Sequence, residues 1–599
     1  MSAPGPRPPR PWPGDAEVIM LPTRNSLPRR LGSFATLPDA LDYAAGGETG
    51  LNFHDGRGEL VRALSYRELR ETARRLARQL IGAGLERGSR VAIVAETRPD
   101  VVEAFLACQY AGLVPLLLPL PVAFGGRQTY IEHVSRLTLA ARASALFVPE
   151  ALQPWLAPFA AEAGLTVFGT VAGLASAPES AADPVPLGED EIAYLQFSSG
   201  STRFPMGVAV TQRALMENIR AILRHGLQVG EEDRAVSWLP LYHDMGLVGF
   251  MLAPLAGQVT VDYLSPQEFA RRPQLWLRLI SANRATLSYS PSFGYELCTR
   301  RGRPDPAKGP ALDLSSWRAA GIGGDMIRPH VLARFAETFA PDGFRAEAFV
   351  PSYGMAEATL AISFAPLGKG LATDMVDLDR LEREGAAMPP GDGSRLREFA
   401  LCGPPVPGTE LEIRDATGAA LPERQVGRIL VRGPGLMQGY DERPEESTAV
   451  LSADGWLDTG DLGYRLNGQV VITGRAKDLI IVNGRNVWPQ DLEWSVEQSI
   501  PTARSGDAAA FSVEEDGAEQ VVMLIEARGA PDSGERERLA TEAAGMLRAR
   551  HGVEARIVLV SPGTLPRTSS GKLSRTLARR RYLAGRFTAG ASALAALPE

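Results

Sequence analysis

The chain has 599 residues, a formal net charge of −7, 45% hydrophobic residues and 22% charged residues. That length exceeds what one hydrophobic core holds, so two or more domains are expected, and the composition is that of an ordinary soluble globular protein. The acidic balance argues against a nucleic-acid binder. Cys108, Cys298 and Cys402 stand too far apart for a disulfide framework or a CxxC metal site, and they read as buried thiols of a reducing compartment, the cytoplasm.

Residues 1–30 are rich in Pro and Arg, lack a sustained apolar core and read as a disordered lead-in rather than a secretory signal. Ser65 with Glu68 three residues on has the form of a capping box. Tyr66, Leu69, Ala73, Leu76 and Leu80 then recur at helical spacing, and Gly84 closes the helix. Residues 90–95 form a short apolar strand, 99–110 a helix, and 113–124 a buried strand leaving into a turn. That last run is too short to cross a bilayer and contains Pro115, Pro119 and Pro121, so no transmembrane segment is expected. Strand, helix and strand with continuous apolar strands predict a parallel sheet covered on both faces. Residues 144–148 and 165–168 add short strands, and an Ala/Pro/Ser-rich connection runs over 174–188.

The stretch 195–210 is the most informative. Ser198-Ser199-Gly200-Ser201-Thr202-Arg203 packs four hydroxyls, a glycine and a cation between two apolar runs. It predicts strand, loop, strand, with a loop able to offer N–H groups, hydroxyls and one positive charge to a polyphosphate. By itself it reads equally as a polar hairpin turn. Residues 212–224 follow as a helix. An apolar run at 236–239 ends in Pro240-Leu241-Tyr242-His243-Asp244-Met245-Gly246, and helices are expected at 275–280 and 331–339. Residues 369–397 look like an irregular insertion, and strands at 424–432 and 469–472 belong to a β-rich region. After Thr473-Gly474-Arg475 the composition changes to a smaller α/β unit. Its strands are expected at 479–482, 521–527 and 556–560 and its helices at 490–499 and 535–549, and it ends in the loop 565–572. Lys572, in a loop of hydroxyls and glycine, can act as a flexible point charge toward carboxylate and phosphate oxygens. The loop is not a P-loop, because Leu573 follows Gly571-Lys572, and Met326 spoils a dinucleotide fingerprint at Gly321-Ile322-Gly323-Gly324.

The order of these pieces is more specific than any one. The hydroxyl-rich loop, PLYHDMG, GIGGD, PSYGMAEAT, WLDTGD, GRAKDLI and a late PRTSSGK resemble the adenylate-forming superfamily of acyl-CoA synthetases, peptide-synthetase adenylation domains and luciferases. Arg203 after Gly-Ser-Thr, the SWLP before HDMGL, FGYELC at Phe293 and KDLIIVNGRNVWP from Lys477 are most similar to the fatty-acyl-AMP ligases. The resemblance implies an α/β protein: a large N-terminal domain over 31–476, built of stacked α/β sheets plus a β-rich subdomain, and a small mobile C-terminal α/β domain over 477–599 that carries the catalytic lysine.

It also implies roles. Ser199, Gly200, Ser201 and Thr202, with Arg203 nearby, would hold the β- and γ-phosphates of ATP. Gly323, Gly324 and Asp325 would border the adenine, Tyr353 would stack on it within Ser352-Tyr353-Gly354-Met355, and Asp461 beside Arg475 would take the ribose hydroxyls. Glu357 would help hold Mg²⁺, His243 would sit near the carboxylate end of the acyl pocket, and Phe293 and Tyr295 are weak candidates for that pocket's wall. Lys572 would bridge carboxylate and α-phosphate, and the small domain would rotate about Lys477. Two positions depart from wider relatives: Ala356 stands where Thr is usual, which suits the fatty-acyl-AMP ligase branch, and Met206 stands where many relatives carry Lys. The implied activity is acyl-adenylate formation from a fatty acid and ATP, with acyl transfer to an acyl carrier protein acting in trans, since no carrier domain follows Lys572. The alternatives are coenzyme A as acceptor, or a silent adenylate-binding scaffold.

Overall fold

The computed structural model describes residues 18–121, 126–197, 206–305, 310–482, 484–500, 503–515, 518–528, 533–568 and 572–587. Among them, two large sheets carry most of the chain. One is eight-stranded, in the order Ala361–Phe364, Phe349–Gly354, Ala319–Ile322, Leu287–Ser290, Arg234–Ser237, Thr260–Tyr263, Gly50–His54, Leu60–Ser65. Its inner pairs are parallel and its two edge pairs antiparallel. The other is seven-stranded, in the order Gly439–Tyr440, Gly207–Thr211, Ile192–Phe197, Val114–Leu118, Arg90–Val94, Ala143–Phe147, Val167–Gly169.

The predicted parallel unit is present. Ser65 caps the helix Tyr66–Gly82, its hydroxyl accepting from the Glu68 N–H while the Glu68 carboxylate takes the Ser65 N–H. Leu69, Ala73, Leu76 and Leu80 form the buried stripe of that helix. In the strand Arg90–Val94, Val91 and Ile93 face the core shared with the eight-stranded sheet, and Ala92 and Val94 face a second cluster behind it. Burial on both faces is why this strand reads as an unbroken apolar run.

Past the two sheets, Glu410–Arg414, Gly427–Arg432, Leu457–Leu466 and Gln469–Arg475 build a four-stranded antiparallel sheet. The last segment folds on Ala508–Glu515, Ala518–Glu526 and Ala555–Val560. Alternate residues of these three strands enter two separate apolar clusters, one under the helices Pro489–Ser499 and Ser533–His551 and one under Arg575–Leu583. All three cysteines are buried and unpaired, and no helix among the described residues is long and apolar enough to cross a membrane.

Two expectations are corrected. Residues 18–30, read as part of a disordered lead-in, lie against the large unit: Arg29 donates to the Gly257 and Gln258 carbonyls at 2.8 Å each, and the Leu21 N–H reaches Asn52 at 3.2 Å. Residues 369–397, expected to be irregular, contain a strand, Thr373–Asp377, paired antiparallel with Leu396–Ala400, and a helix, Leu378–Glu384. Asp377 caps that helix by accepting from the Asp379 and Arg380 N–H groups, and Gly385 ends it in the left-handed conformation.

One side chain ties the helix Gln212–Ala221 to the edge of the eight-stranded sheet. Buried Asn218 donates to the Ala361 carbonyl at 2.8 Å and accepts from the Ala361 N–H at 3.0 Å. Asn218→Ala leaves both groups buried and unpaired, at about 1–3 kcal/mol each. A clear fall in the thermal unfolding midpoint is expected, and an unchanged midpoint would show that the pair is replaced by water.

Candidate active site

The residues singled out in the sequence fall on the ends of strands from different sheets. The strand Ala319–Ile322 runs into Gly323-Gly324-Asp325 beside the strand Phe349–Gly354. Contact excludes a side chain on Gly321, where a Cβ would sit 1.9 Å from the Tyr289 ring, and crowds one on Gly323, where a Cβ would sit 3.1 Å from the Ser352 carbonyl oxygen. Gly324 has φ +78°, a conformation glycine adopts freely, and Met245 lies against it. Asp325 is exposed and accepts from the Met326 N–H.

Tyr353 is buried and donates its hydroxyl to Asp461 at 2.8 Å. Asp461, also buried, is cross-strand partner of Arg475 in the four-stranded sheet, and Arg475 Nε lies 3.2 Å from Asp461 Oδ1. Burial pushes the Asp461 carboxyl above its ordinary range, with Arg475, Tyr353 and Lys572 pulling against it. Lys477, two residues beyond Arg475, is pushed down, first by burial and then by the Arg475 charge.

Glu357 sits in a tight turn after Gly354 and Met355. A Cβ on Gly354 would lie 1.8 Å from the Leu360 carbonyl oxygen, which receives the Met355 N–H at 2.9 Å. The Leu360 N–H bonds back to the Ala358 carbonyl at 2.7 Å, a γ-turn that puts Thr359 at φ 64°, ψ −57°. That conformation is strained for a β-branched residue. Thr359 is held there by its hydroxyl, which donates to the Gly435 carbonyl at 2.7 Å, while the Met437 N–H donates to the Glu357 carbonyl at 2.8 Å. Burial raises the Glu357 carboxyl, and the Tyr440 hydroxyl, 3.1 Å from its Oε1, works against that.

His243 and Asp244 stand at the mouth of a π-helical segment, Met245–Leu252, a rare geometry often found at functional sites. His243 Nδ1 lies 2.6 Å from Asp244 Oδ1. Burial pushes the Asp244 carboxyl up, but His243, Lys572 and the Met245 N–H outweigh it, so it lies below the usual range. Lys572 is half-buried, its carbonyl accepting the Thr568 N–H at 2.7 Å. Its charge acts on Asp244 in the large unit and on Asp461 in the four-stranded sheet. His243, Tyr353, Glu357, Asp461, Arg475 and Lys572 are therefore linked by contact or charge.

Ser199, Gly200, Ser201, Thr202 and Arg203 lie outside the described residues. The strands flanking them, Ile192–Phe197 and Gly207–Thr211, stand where the sequence predicts strand, loop, strand, and they pair antiparallel with Phe197 opposite Gly207. Tyr295 is corrected: it is fully buried among Trp276, Trp317, Phe335 and Phe349 and donates to the Gly321 carbonyl at 2.9 Å, so it is core rather than a pocket wall. Phe293 is on the other side of that helix, 38% exposed, with its ring 5.7 Å from Trp238. Sequence reasoning passed over Asp244, though it adjoins His243, and Tyr440, which only strand pairing with Val208 brings in.

The AMP-binding enzyme family matches residues 52–441. A Caulobacter vibrioides protein with a provisional acyl-CoA synthetase name is 53% identical over 577 residues, 96% of this chain and 99% of that protein. The medium-chain-fatty-acid–[acyl-carrier-protein] ligase JamA of Moorena producens is 32% identical over 581 residues, 92% of this chain and 96% of that protein. A solved structure from studies of fatty acyl-adenylate ligases of E. coli and L. pneumophila has a TM-score of 0.89 at 43% identity, covering 94% of this chain and 100% of that chain.

Tyr353→Phe removes one of the hydrogen bonds that hold buried Asp461 ionised, a loss of about 1–3 kcal/mol. The folded-state Asp461 carboxyl is already above its unfolded value, so its contribution to stability falls as pH rises through the folded value. Losing the tyrosine hydroxyl raises it further. The gap in unfolding midpoint between wild type and Tyr353→Phe is expected to be wide where the folded-state Asp461 carboxyl is ionised and to narrow as pH falls through its raised folded-state value, where the folded carboxyl takes up its proton in both proteins. A gap that does not change with pH would disprove the coupling.

Proposed function

The chain belongs to the AMP-binding enzymes and is a fatty acyl-AMP ligase, an ATP-dependent ligase; from that premise we propose the roles of its residues and its thiol acceptor. The fatty carboxylate attacks the α-phosphate of ATP and pyrophosphate leaves, giving a mixed acyl–AMP anhydride. The phosphopantetheine thiol of a separate acyl carrier protein then attacks the acyl carbonyl and AMP leaves. The observation that carries this reading is buried Asp461 joined to the Tyr353 hydroxyl at 2.8 Å and to Arg475 at 3.2 Å, with the charge of Lys572, from a different part of the fold, favouring its ionised form. An ammonium whose charge reaches these carboxylates would stabilise charge that develops between an acyl carboxylate and a phosphate.

Tyr353 would stack on the adenine, its ring fixed by the bond to Asp461. Ser352, Gly354 and Met355 would line the same side, with Gly323, Gly324 and Asp325 opposite. The second Asp461 oxygen and Arg475 would meet the ribose. Ser199 through Arg203 would grip the β- and γ-phosphates. His243, oriented by Asp244, would lie at the carboxylate end of the acyl site with Phe293 at its rim. Glu357 fits a Mg²⁺ ion in its chemistry: a carboxylate can accept about four hydrogen bonds or metal contacts, Tyr440 supplies one, and Mg²⁺ favours one or two carboxylates together with substrate phosphates. The ion would add positive charge at the phosphates. The residues from 477 on would rotate about Lys477 between the two steps, carrying Lys572 away.

Similarity to the JamA ligase supports a carrier protein as acceptor. The provisional acyl-CoA synthetase name of the 53% identical relative favours a second reading, with coenzyme A as acceptor. Incubation with MgATP, dodecanoate and either holo acyl carrier protein or coenzyme A separates them: faster carrier acylation supports the proposal, and faster coenzyme A thioester formation replaces it. In the same assay Lys572→Ala is expected to lower dodecanoate-dependent pyrophosphate release by about 10²-fold or more, while acyl transfer from preformed dodecanoyl-adenylate continues. Equal loss of both half-reactions would remove Lys572 from the proposed role.

A further inference from the structure

Lys572 belongs to the last segment of the chain, yet its charge reaches Asp244 of the large unit and Asp461 of the four-stranded sheet. Something must hold the two together in that pose. The helix Pro489–Ser499 carries three largely shielded carboxylates: Asp491, 2.9 Å from Arg397 of the large unit, and Glu493 and Glu497, one turn apart, which point to different partners. Glu493 takes a two-pronged contact from Arg575, at 2.7 and 2.6 Å, and Arg575 also reaches Asp478 at 3.0 Å. Arg575 follows Lys572 by three residues, so this contact fixes the lysine loop to the helix.

Glu497 faces the large unit instead. Its Oε2 lies 3.0 Å from Nη1 of Arg328, and its Oε1 accepts the Gly506 N–H at 2.6 Å. The same Arg328 nitrogen donates to Ser505 at 2.7 Å, and the guanidinium stands 5.0 Å over the Trp494 ring. Arg328 is the N-cap residue of the helix Pro329–Phe339, four residues after Gly324, and its own N–H bonds to Ser292 at 3.2 Å. The side chains of Arg328 and Glu497 are 18% and 5% exposed, so the pair is shielded from water. Burial pushes the Glu497 carboxyl up to about 7, with Arg328 pulling against it. Arg328 thus offsets a charge that the fold otherwise buries at a cost.

We propose that Arg328 is a positioning residue for Lys572: its contact with Glu497, Ser505 and Trp494 latches the Pro489–Ser499 helix to the large unit, and that helix, through Glu493 and Arg575, sets Lys572 over the acyl–phosphate site. The chain of contacts runs from the strand end that borders the nucleotide side to the lysine. The latch belongs to the first half-reaction. It has to open before the second, because a thiol needs the space that Lys572 fills. This inference rests on the two-step reading above.

The variants are Arg328→Met, which keeps the length and removes the charge, and Glu497→Gln, which keeps the helix and the shape. Three readouts are compared: dodecanoate-dependent pyrophosphate release, acyl transfer from preformed dodecanoyl-adenylate, and amide hydrogen exchange over 494–506 and 328–331. Either variant is expected to slow pyrophosphate release by about 10-fold or more, to leave transfer from the preformed adenylate at or above the wild-type rate, and to speed exchange in both segments. Equal losses in both half-reactions would mean a general structural role and would overturn the proposal, as would wild-type pyrophosphate release in both variants. If Arg328→Met does not fold, Glu497→Gln decides by the same criteria. Hydrogen exchange needs no substrate. Wild-type protein that activates no fatty acid would overturn the two-step reading, and unchanged exchange in the variants would separately overturn the latch.

Discussion

A carboxylate at position 461 is taken out of water, and much of the site follows from how that burial is tolerated. An isolated buried carboxylate either finds partners or takes up a proton. Asp461 meets the tyrosine hydroxyl of a neighbouring sheet, the arginine opposite it in its own sheet, and the charge of a lysine from the far end of the chain. Each partner comes from a different part of the fold. Tyr353 is therefore oriented by an electrostatic need as much as by packing. The arrival of Lys572 is favoured for the same reason, because docking brings positive charge to Asp461 and to Asp244. The resting electrostatics lean toward the pose in which adenylation is proposed to occur, and a rotation that carries Lys572 away leaves those two carboxylates with fewer partners.

A second constraint is backbone strain. The Glu357 turn is closed by a γ-turn at Thr359, with a β-branched residue at positive φ and fully buried. Such a conformation persists only when the surroundings over-determine it. Here the hydroxyl bond to Gly435, the Met437 N–H on the Glu357 carbonyl and the Asn218 bonds to Ala361 hold the turn on three sides. The turn so held sets the Glu357 carboxylate 3.1 Å from the Tyr440 hydroxyl.

The large parallel unit was legible because its strands are buried on both faces, the helix Tyr66–Gly82 carries a complete capping box and an apolar stripe, and Pro99 and Gly112 bound the next helix; residues 65–118 read almost as they fold. The insertion at 369–397 was not, since a seven-residue helix offers fewer than two turns of periodicity and depends on one aspartate cap. Tyr295 was misplaced although its spacing held the answer: Tyr295 and Cys298 are three apart on one helix face, both fully buried, and Phe293 lies off that face. Of the site, His243, Glu357, Asp461 and Lys572 were visible as motifs. Tyr440, the partner of Glu357, and the Arg328–Glu497 pair were not, because strand pairing or docking joins residues 83 and 169 positions apart.

The same separation bears on how the two half-reactions are kept apart. A lysine held by its own loop alone would sample the cleft at all times and obstruct a thiol. A lysine rigidly fused to the large unit would never leave. Coupling Lys572 to a helix through Glu493 and Arg575, and that helix to the large unit through the separate Arg328–Glu497 contact, divides the two demands. The first contact is an internal bidentate pair of the kind that persists through a rigid-body motion. The second crosses the boundary: Arg328 meets Glu497, Ser505 and the Trp494 ring, beside a neighbouring contact of Asp491 on the same helix with Arg397 at 2.9 Å. On the proposed reading the lysine would travel with its helix, and opening the latch would free the acyl carbonyl while the Tyr353–Asp461 hydrogen bond stays in place.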